Sequence, residues 1–214
     1  MAKISIFCSK GSTGKTPLAM NMFYDFGYNI GTNEPYNVIE DLVQDNQMMT
    51  VGLNESFPDL PHEIDMIFDL AGAISEDARS ITSAIKQSDL VIVPINNEYK
   101  ALKAGIHSIA EVMKYNKNVI VVATKLNKQK IDTFSNNNWK ESADFKEVKE
   151  AVHTVFDDSI EVLPLKFSTA FDTIFEREKS VKQICKEDPL LRHAYRVVEL
   201  QMELIYSELK KVIK

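Results

Sequence analysis

The sequence predicts a doubly wound α/β fold, in which a mostly parallel sheet is covered by helices on both faces. Strand patterns and helix patterns alternate along the 214 residues, and such alternation is typical of parallel sheets. The strand patterns at 89–95 and 118–124 are almost continuously apolar, which indicates strands that are buried on both faces. No repeat or linker divides the chain, so we expect one domain over 1–214.

The composition is that of an ordinary globular protein, and it argues against several classes of function. Hydrophobic residues make up 44% of the sequence and charged residues 26%. The formal net charge of −6 argues against a general affinity for nucleic acids, although a local basic face is compatible with it. Cys8 and Cys185 are far apart and lack metal-ligand spacing. No apolar run spans a membrane and no signal peptide precedes the first strand, so we expect a cytoplasmic protein.

The turn after the first strand pattern is suited to binding phosphate. The strand pattern at 3–8 is apolar and partly β-branched, and a helix pattern without a breaker covers 17–26. The turn between them contains Gly11, Gly14, Lys15 and Thr16. Backbone N–H groups in such a turn bind anions together with the helix N-terminus, while the lysine adds positive charge and the threonine hydroxyl suits Mg²⁺. The alternative is a Gly/Ser turn with incidental lysines.

A second lysine in this turn distinguishes it from a common Walker A loop. The run Lys10-Gly11-Ser12-Thr13-Gly14-Lys15-Thr16 resembles the deviant Walker A motif of the ParA/MinD ATPases. Ser9 stands where the usual motif has its first glycine, Ser12 where most members have glycine, and Pro17 where they have Ser or Thr. The resemblance implies a P-loop ATPase that binds ATP and Mg²⁺ through residues 10–17. It also implies catalytic roles for Lys15 and for Lys10, which would reach the phosphates of the partner in an ATP-dependent homodimer.

Two further segments fit the same resemblance. The strand pattern at 64–69 ends in Asp69 and resembles Walker B, so Asp69 would hold Mg²⁺ near Thr16 at the carboxyl edge of the sheet. A cap at the end of the strand is the alternative. Gly72 matches the family pattern and would offer its N–H to the γ-phosphate. In the segment that corresponds to switch I, 32–36, the water-positioning carboxylate falls on Glu34, which is otherwise a solvated turn residue.

The remaining patterns complete an alternating α/β chain. Helices are predicted at 37–46, 76–88, 99–115 and 141–156, strands at 89–95, 118–124 and 160–165, and loops at 52–62 and 126–140. Trp139, the one tryptophan, lies in the second loop. In the resembling family a proline-containing loop after the last strand contacts the base, which places Pro164 and Lys166 beside the adenine.

The C-terminal segment 189–214 carries one continuous apolar stripe at helical spacing. We expect it to pack on the domain or in the dimer rather than on a membrane, because acidic residues interrupt its polar face. A basic cluster lies before and within it: Lys179, Lys182, Lys186, Arg192 and Arg196. In ParA-like partition proteins such residues bind DNA without sequence preference, and the cluster here is interleaved with acidic residues.

The resemblance implies an ATPase switch in plasmid or chromosome partition or in cargo positioning. Such a protein binds ATP and Mg²⁺, dimerises, binds DNA as the dimer, and hydrolyses ATP when a ParB-like or other partner stimulates it. Two alternatives remain. One is a weakly hydrolysing regulatory or scaffold protein, which Thr32 and Tyr36 in the switch I segment favour. The other is an ATP-dependent synthetase or kinase of the same fold, although we find no additional substrate-binding motif.

Overall fold

The computed structural model describes residues 1–34, 38–72, 78–135 and 138–212, and its centre is a parallel sheet. Seven strands lie in the described ranges: β1 (Lys3–Ile6), β2 (Asn29–Thr32), β3 (Met48–Thr50), β4 (Met66–Asp69), β5 (Leu90–Ile95), β6 (Val119–Leu126) and β7 (Glu161–Lys166). Their order across the sheet is β3-β2-β4-β1-β5-β6-β7, and each neighbouring pair is parallel. The doubly wound parallel fold predicted from the sequence is therefore confirmed.

Helices cover both faces of the sheet. They are α1 (Lys15–Phe26), α2 (Arg79–Gln87), α3 (Tyr99–Val112), α4 (Ala143–Phe156), α5 (Ala170–Arg177), α6 (Val181–Glu187) and α7 (Pro189–Val212). Because side chains alternate along a strand, Ile92 joins the core beneath α1 and α5–α7, whereas Val91 and Val93 join the core beneath α2–α4. The strands are thus buried on both faces, as their apolar sequences predict.

The segment after β2 differs from the sequence prediction. The helix expected at 37–46 does not form in the described residues 38–46, which contain turns and the start of a short 3₁₀ helix at Asp45–Gln47. Val38, which the helix would have buried, is 55% exposed. The chain instead continues into β3, whose backbone pairs with β2 from Met48 to Thr50. Pairing along the edge of the sheet satisfies backbone groups there, and the local helical spacing of apolar residues does not reveal it.

Other predicted boundaries agree with the structure to within a few residues. The predicted helix at 76–88 corresponds to α2, although its start lies outside the described residues. The predicted helix at 99–115 ends at Val112, and the one at 141–156 begins at Ala143. Within the described ranges, no helix is both long and apolar enough to cross a membrane.

The C-terminal helices are tied to α1 by a buried polar network. Tyr206 of α7 donates to Asp25 Oδ2 at 2.8 Å and accepts from Asn21 Nδ2 at 2.7 Å. Asn21 Oδ1 accepts from the Val181 backbone N–H at 2.8 Å, and the Ser180 hydroxyl donates to Asp25 Oδ1 at 2.6 Å. Burial and the Asp25 charge together raise the pKa of Tyr206 well above its ordinary value, so its hydroxyl remains a donor. The predicted packing of the C-terminal helix on the domain is thus observed.

We predict that Tyr206→Phe lowers the free energy of unfolding by about 1–3 kcal/mol, because buried hydrogen-bonding groups on α1 lose their partner. Tyr195→Phe in the same helix is the matched control. The Tyr195 hydroxyl pairs with the hydroxyl of Thr173, which is half-buried and can turn to water, so we expect a loss below about 1 kcal/mol. Urea unfolding monitored by circular dichroism measures both variants, and equal losses would contradict the importance of the network.

Candidate functional site

The turn after β1 lies at the carboxyl edge of the sheet and leads directly into α1. Gly14, which precedes the first residue of α1, has a φ of 95°, and Ser12 has a φ of 62°. Both values lie in the left-handed region that glycine adopts easily. A serine in that region costs about 1 kcal/mol or more, so Ser12 holds a strained conformation.

Neighbouring elements hold this loop in place. The Ser9 backbone N–H donates to Ser108 Oγ of α3 at 2.9 Å, and Ser9 Oγ donates to the Ala104 carbonyl at 3.3 Å. On the other side, Thr124 Oγ1 of β6 donates to the Thr13 carbonyl at 2.8 Å. Sequence reasoning assigned no role to Ser108 or to the Thr124 hydroxyl. The sequence shows Thr124 only as a polar residue in an apolar strand, and Ser108 only as a small polar residue on the inner face of a helix.

Lys15 is buried at the positive end of α1. Only 5% of its surface is exposed, and it is the first residue of the helix. A buried ammonium group is costly, and the partial positive charge of a helix N-terminus makes that position less favourable for a cation. An anion bound at the loop would offset both effects, because it would pair with the lysine and accept from backbone N–H groups. The position of Lys15 therefore indicates an anion site.

Lys10 is placed differently from Lys15. Its side chain is half-exposed, and its Nζ lies 3.4 Å from the Gly11 carbonyl oxygen in an exposed contact. The ammonium group of Lys10 is therefore available at the surface of the loop, whereas that of Lys15 is enclosed by the fold.

Thr16 and Asp69 meet next to Lys15, as the sequence predicts. Thr16 Oγ1 donates to Asp69 Oδ2 at 2.7 Å, and Asp69 is 1% exposed. Burial raises the pKa of Asp69 to about 7; the Thr16 hydrogen bond and the Lys15 charge lower it, and the Glu34 charge raises it. Asp69 Oδ1 is buried with no donor in the part of the chain that the structure describes. A hydroxyl and a carboxylate with one free oxygen suit Mg²⁺, which prefers oxygen ligands.

Sheet topology brings Glu34 and Gly72 to the same place. Asp69 lies opposite Ile6 of β1 and Thr32 of β2, so the segments that follow these three strands converge. A side chain at Gly72 would place its Cβ 2.9 Å from the Ser9 carbonyl oxygen, so this close approach to the loop after β1 requires glycine. Glu34 is near enough to Asp69 to influence its pKa. The rest of the predicted switch I segment, 35–36, lies outside the described residues.

Asn33 is a residue of this region that sequence reasoning missed. It is buried, and its Oδ1 accepts from the Ala71 backbone N–H at 2.6 Å. Its Nδ2 donates to Ser80 Oγ of α2 at 2.7 Å. Asn33 thus joins the segment after β2 to the segment after β4, next to Glu34 and Gly72. The sequence gives no local signal for this role of Asn33, because its two hydrogen-bond partners, Ala71 and Ser80, are distant in the sequence.

A cavity of about 320 Å³ adjoins the loop between β1 and α1. Ser12, Gly14 and Pro17 form its loop side, and the opposite wall includes Thr124, Lys125, Leu165, Lys166, Phe167, Phe171 and Asp172. Its apolar surface with a few polar groups is typical of ligand pockets. Lys166 lines this cavity, and its predicted place beside a base stays a prediction. Pro164 lies instead on a separate groove that contains Trp139.

The proteins that this chain resembles are found through its fold. No protein-family model and no curated protein matches the chain. Among solved structures, McdA of Cyanothece in complex with ATP is 12% identical with a TM-score of 0.65, covering 98% of this chain and 96% of McdA. The MinD cell division ATPase of Pyrococcus furiosus is 14% identical with a TM-score of 0.61, covering 99% of this chain and all of MinD, 100%.

A third structure extends the comparison to plasmid partition. A protein assigned to plasmid partition in Borrelia burgdorferi, bound to AMPPNP, is 10% identical with a TM-score of 0.51. The match covers 94% of this chain and 98% of that protein. Together with the parallel sheet and the loop at its carboxyl edge, these similarities show that the chain has the α/β P-loop fold of the deviant Walker A proteins of the ParA/MinD type.

Proposed function

We propose that this protein is a ParA/MinD-type ATPase that binds ATP with Mg²⁺ and hydrolyses it. The observation that carries the proposal is the buried Lys15 at the N-terminus of α1, next to the hydrogen-bonded pair of Thr16 and Asp69. An isolated anion would satisfy the lysine and the helix N-terminus. The additional carboxylate, with one buried oxygen that has no donor among the described residues, suits a cation that accompanies this anion, and a magnesium–nucleotide complex supplies both.

Each residue of the site has a distinct role in this proposal. Lys15 and the loop N–H groups bind the terminal phosphates, and Thr16 and Asp69 hold the metal ion. Bound Mg²⁺ would supply neutralising charge to the phosphate oxygens. Glu34 orients the attacking water, and the Gly72 N–H donates to the γ-phosphate. The cavity at Lys166 receives the base. A contact between the base and Pro164 is not part of the proposal, because Pro164 lines another groove.

The structural neighbours support the part of the proposal that concerns nucleotide binding. One was solved with ATP and one with AMPPNP, and MinD is named an ATPase. By analogy, we propose that the ATP cycle serves partition or positioning of a cargo through an ATP-dependent homodimer and a stimulating partner. A nucleotide-binding scaffold that hydrolyses little remains the second candidate, and Thr32 at the end of β2, in place of the family's first aspartate, is the observation that favours it.

Two of the five basic residues that the sequence assigns to a DNA-binding cluster form ion pairs with acidic neighbours. Lys179 pairs with Glu187 at 2.7 Å, and Arg196 pairs with Glu199 at 2.7 Å. Lys182, Lys186 and Arg192 make no ion pair within the described ranges. A weak, salt-sensitive attraction to the DNA backbone would depend on these three residues, since phosphate contacts act through released counterions. Binding of DNA therefore stays a prediction, with Lys182, Lys186 and Arg192 as its centre.

We predict that Lys15→Ala weakens ATP binding by about 100-fold or more, because a buried charge-assisted contact to phosphate is lost. Isothermal titration calorimetry with Mg·ATP measures the change. Lys100→Ala, at an exposed position in α3, is the control. Unchanged ATP affinity in Lys15→Ala, in a protein whose thermal midpoint is not below that of the wild type, would exclude the phosphate-loop assignment.

We predict that Asp69→Asn abolishes the magnesium-dependent gain in ATP affinity but changes magnesium-free binding by less than about threefold. Calorimetry with and without Mg²⁺ measures both quantities. The nucleotide-free variant should also melt at a higher temperature near pH 8, because it no longer buries a carboxylate charge. The pKa of this carboxyl is raised to about 7 in the folded protein, so the advantage shrinks as pH falls from 7 towards 4. A variant with wild-type magnesium dependence would contradict the role.

We predict that Lys10→Ala binds ATP as a monomer but loses ATP-dependent dimerisation and stimulated hydrolysis. The exposed ammonium of Lys10 is free to approach a second subunit, where it would stabilise charge on the transferred phosphate. Light scattering with a slowly hydrolysed ATP analogue measures the dimer, and Lys100→Ala serves as an exposed-lysine control. A Lys10→Ala protein that dimerises and turns over ATP like wild type would refute this role for the second lysine.

A further inference from the structure

Three charged side chains line the cavity beside the loop between β1 and α1, and only one of them is acidic. Lys125 lies near the end of β6, Lys166 is the last residue of β7, and Asp172 lies in the first turn of α5. Both lysines are half-buried, whereas Asp172 is exposed and therefore stands at the open side of the cavity. No other carboxylate lies among the described residues that line it. The proposed function gives neither Lys125 nor Asp172 a role.

The carboxylate of Asp172 has no partner within the described ranges. Neither oxygen accepts a hydrogen bond there, and no lysine or arginine forms an ion pair with it. Its backbone N–H donates to the Thr169 carbonyl at 3.1 Å. A carboxylate at this end of a helix interacts favourably with the helix dipole. That interaction uses neither oxygen as a hydrogen-bond acceptor, so both remain available to a ligand.

The apolar side chains of the cavity suit a planar ring. Phe167 is 54% exposed although it lines a cavity, and Phe171 is half-buried in the same cavity. Exposed aromatic faces combined with basic side chains are typical of sites on which nucleobases stack. A nucleotide whose phosphates bind at the loop between β1 and α1 would therefore find aromatic surface for its base in this cavity.

The charged groups decide which base the cavity complements. A carboxylate only accepts hydrogen bonds, and a lysine ammonium only donates them. Guanine presents two donors side by side, its N1–H and its 2-amino group, and it presents two acceptors, O6 and N7, along the adjoining edge. Adenine presents one amino group, and the lone pair of its neighbouring N1 would repel a carboxylate. One carboxylate and two lysines therefore complement guanine at more positions than adenine.

We propose that Asp172 reads the base of the nucleotide and that this site takes guanine nucleotides in addition to ATP. The two carboxylate oxygens accept from N1–H and the 2-amino group of guanine, and the ammonium groups of Lys125 and Lys166 donate to O6 and N7. The phosphates and Mg²⁺ bind as in the proposed function, on which this recognition of the base rests. The preference for one purine over the other then depends on a single exposed side chain.

Isothermal titration calorimetry of the full chain with Mg·ATP, Mg·GTP and Mg·ITP tests this recognition. We expect GTP to bind at least as tightly as ATP. Inosine differs from guanosine only in lacking the 2-amino group, so ITP should bind at least about fivefold more weakly than GTP, because one of two hydrogen bonds to the carboxylate is lost. An affinity for GTP that is more than about tenfold below that for ATP would overturn the proposal.

Asp172→Asn is the decisive variant, because an amide offers one acceptor and one donor where the carboxylate offers two acceptors. The new donor meets the 2-amino group of guanine, so GTP should bind at least about tenfold more weakly than to the wild type. Xanthine carries an oxygen in place of that amino group, so XTP should bind at least about tenfold more tightly to the variant than to the wild type. The affinity for ATP should change by less than about threefold, since adenine makes at most one hydrogen bond here.

Glu176→Gln is the matched control, because Glu176 is an exposed acidic residue of the same helix and does not line the cavity. It removes the same charge and should leave the affinities for all four nucleotides as in the wild type. If Asp172 only stabilises α5, Asp172→Asn will lower the thermal midpoint and leave the order of the four affinities unchanged. That result would refute the role in base recognition.

The same titrations separate this proposal from the proposed function. Binding of ATP without GTP would keep the proposed ATPase and refute base recognition by Asp172. Binding of GTP without ATP would keep the role of Asp172 and refute ATP as the nucleotide of the site. Binding of neither nucleotide by the folded protein would exclude the phosphate site and, with it, the recognition of a base.

Discussion

The hydrogen bond between Thr16 and Asp69 is the contact on which the geometry of the site depends. It joins the first turn of α1 to the end of β4, the strand that lies between β1 and β2 in the sheet. Three segments therefore converge on one buried carboxylate. Burial opposes the charge of Asp69 and of Lys15 in the free protein, so both residues reduce folding stability until a ligand pairs with them. Such a local conflict between folding and charge is typical of functional sites.

Helix α1 connects the candidate site to the C-terminal helices. Its first residues form the candidate site, and its last turns hold α6 and α7 through Asn21 and Asp25. A helix of twelve residues is about 18 Å long and is held along its length by backbone hydrogen bonds. A shift of the phosphate loop along the helix axis would therefore either displace the C-terminal helices or break buried hydrogen bonds. Since breaking those bonds is costly, the loop and the C-terminal helices are mechanically linked.

The parts of the fold and site that the sequence predicted are those with a local chemical signature. The strand, turn and helix around Lys15 and the strand that ends in Asp69 are contiguous patterns, so their meeting follows from parallel topology alone. Strand β3 was missed because it forms only through pairing with β2. Asn33 was missed for the same reason, since its amide acts on Ala71 and Ser80. A proline motif likewise does not predict which cavity the proline lines. In the structure, Pro164 lines the groove that contains Trp139.

The departures of this loop from the usual Walker A pattern do not argue against phosphate binding, because the structure accommodates each of them. Ser9, which replaces a glycine, places its N–H and hydroxyl on α3, so its side chain serves as an anchor. Pro17 lies in the first turn of α1, where no backbone donor is lost. Only Ser12 remains strained, at a φ of 62°. The backbone contacts of Ser9 and Thr13 hold the loop in this conformation, so a serine at position 12 is compatible with the shape of the loop.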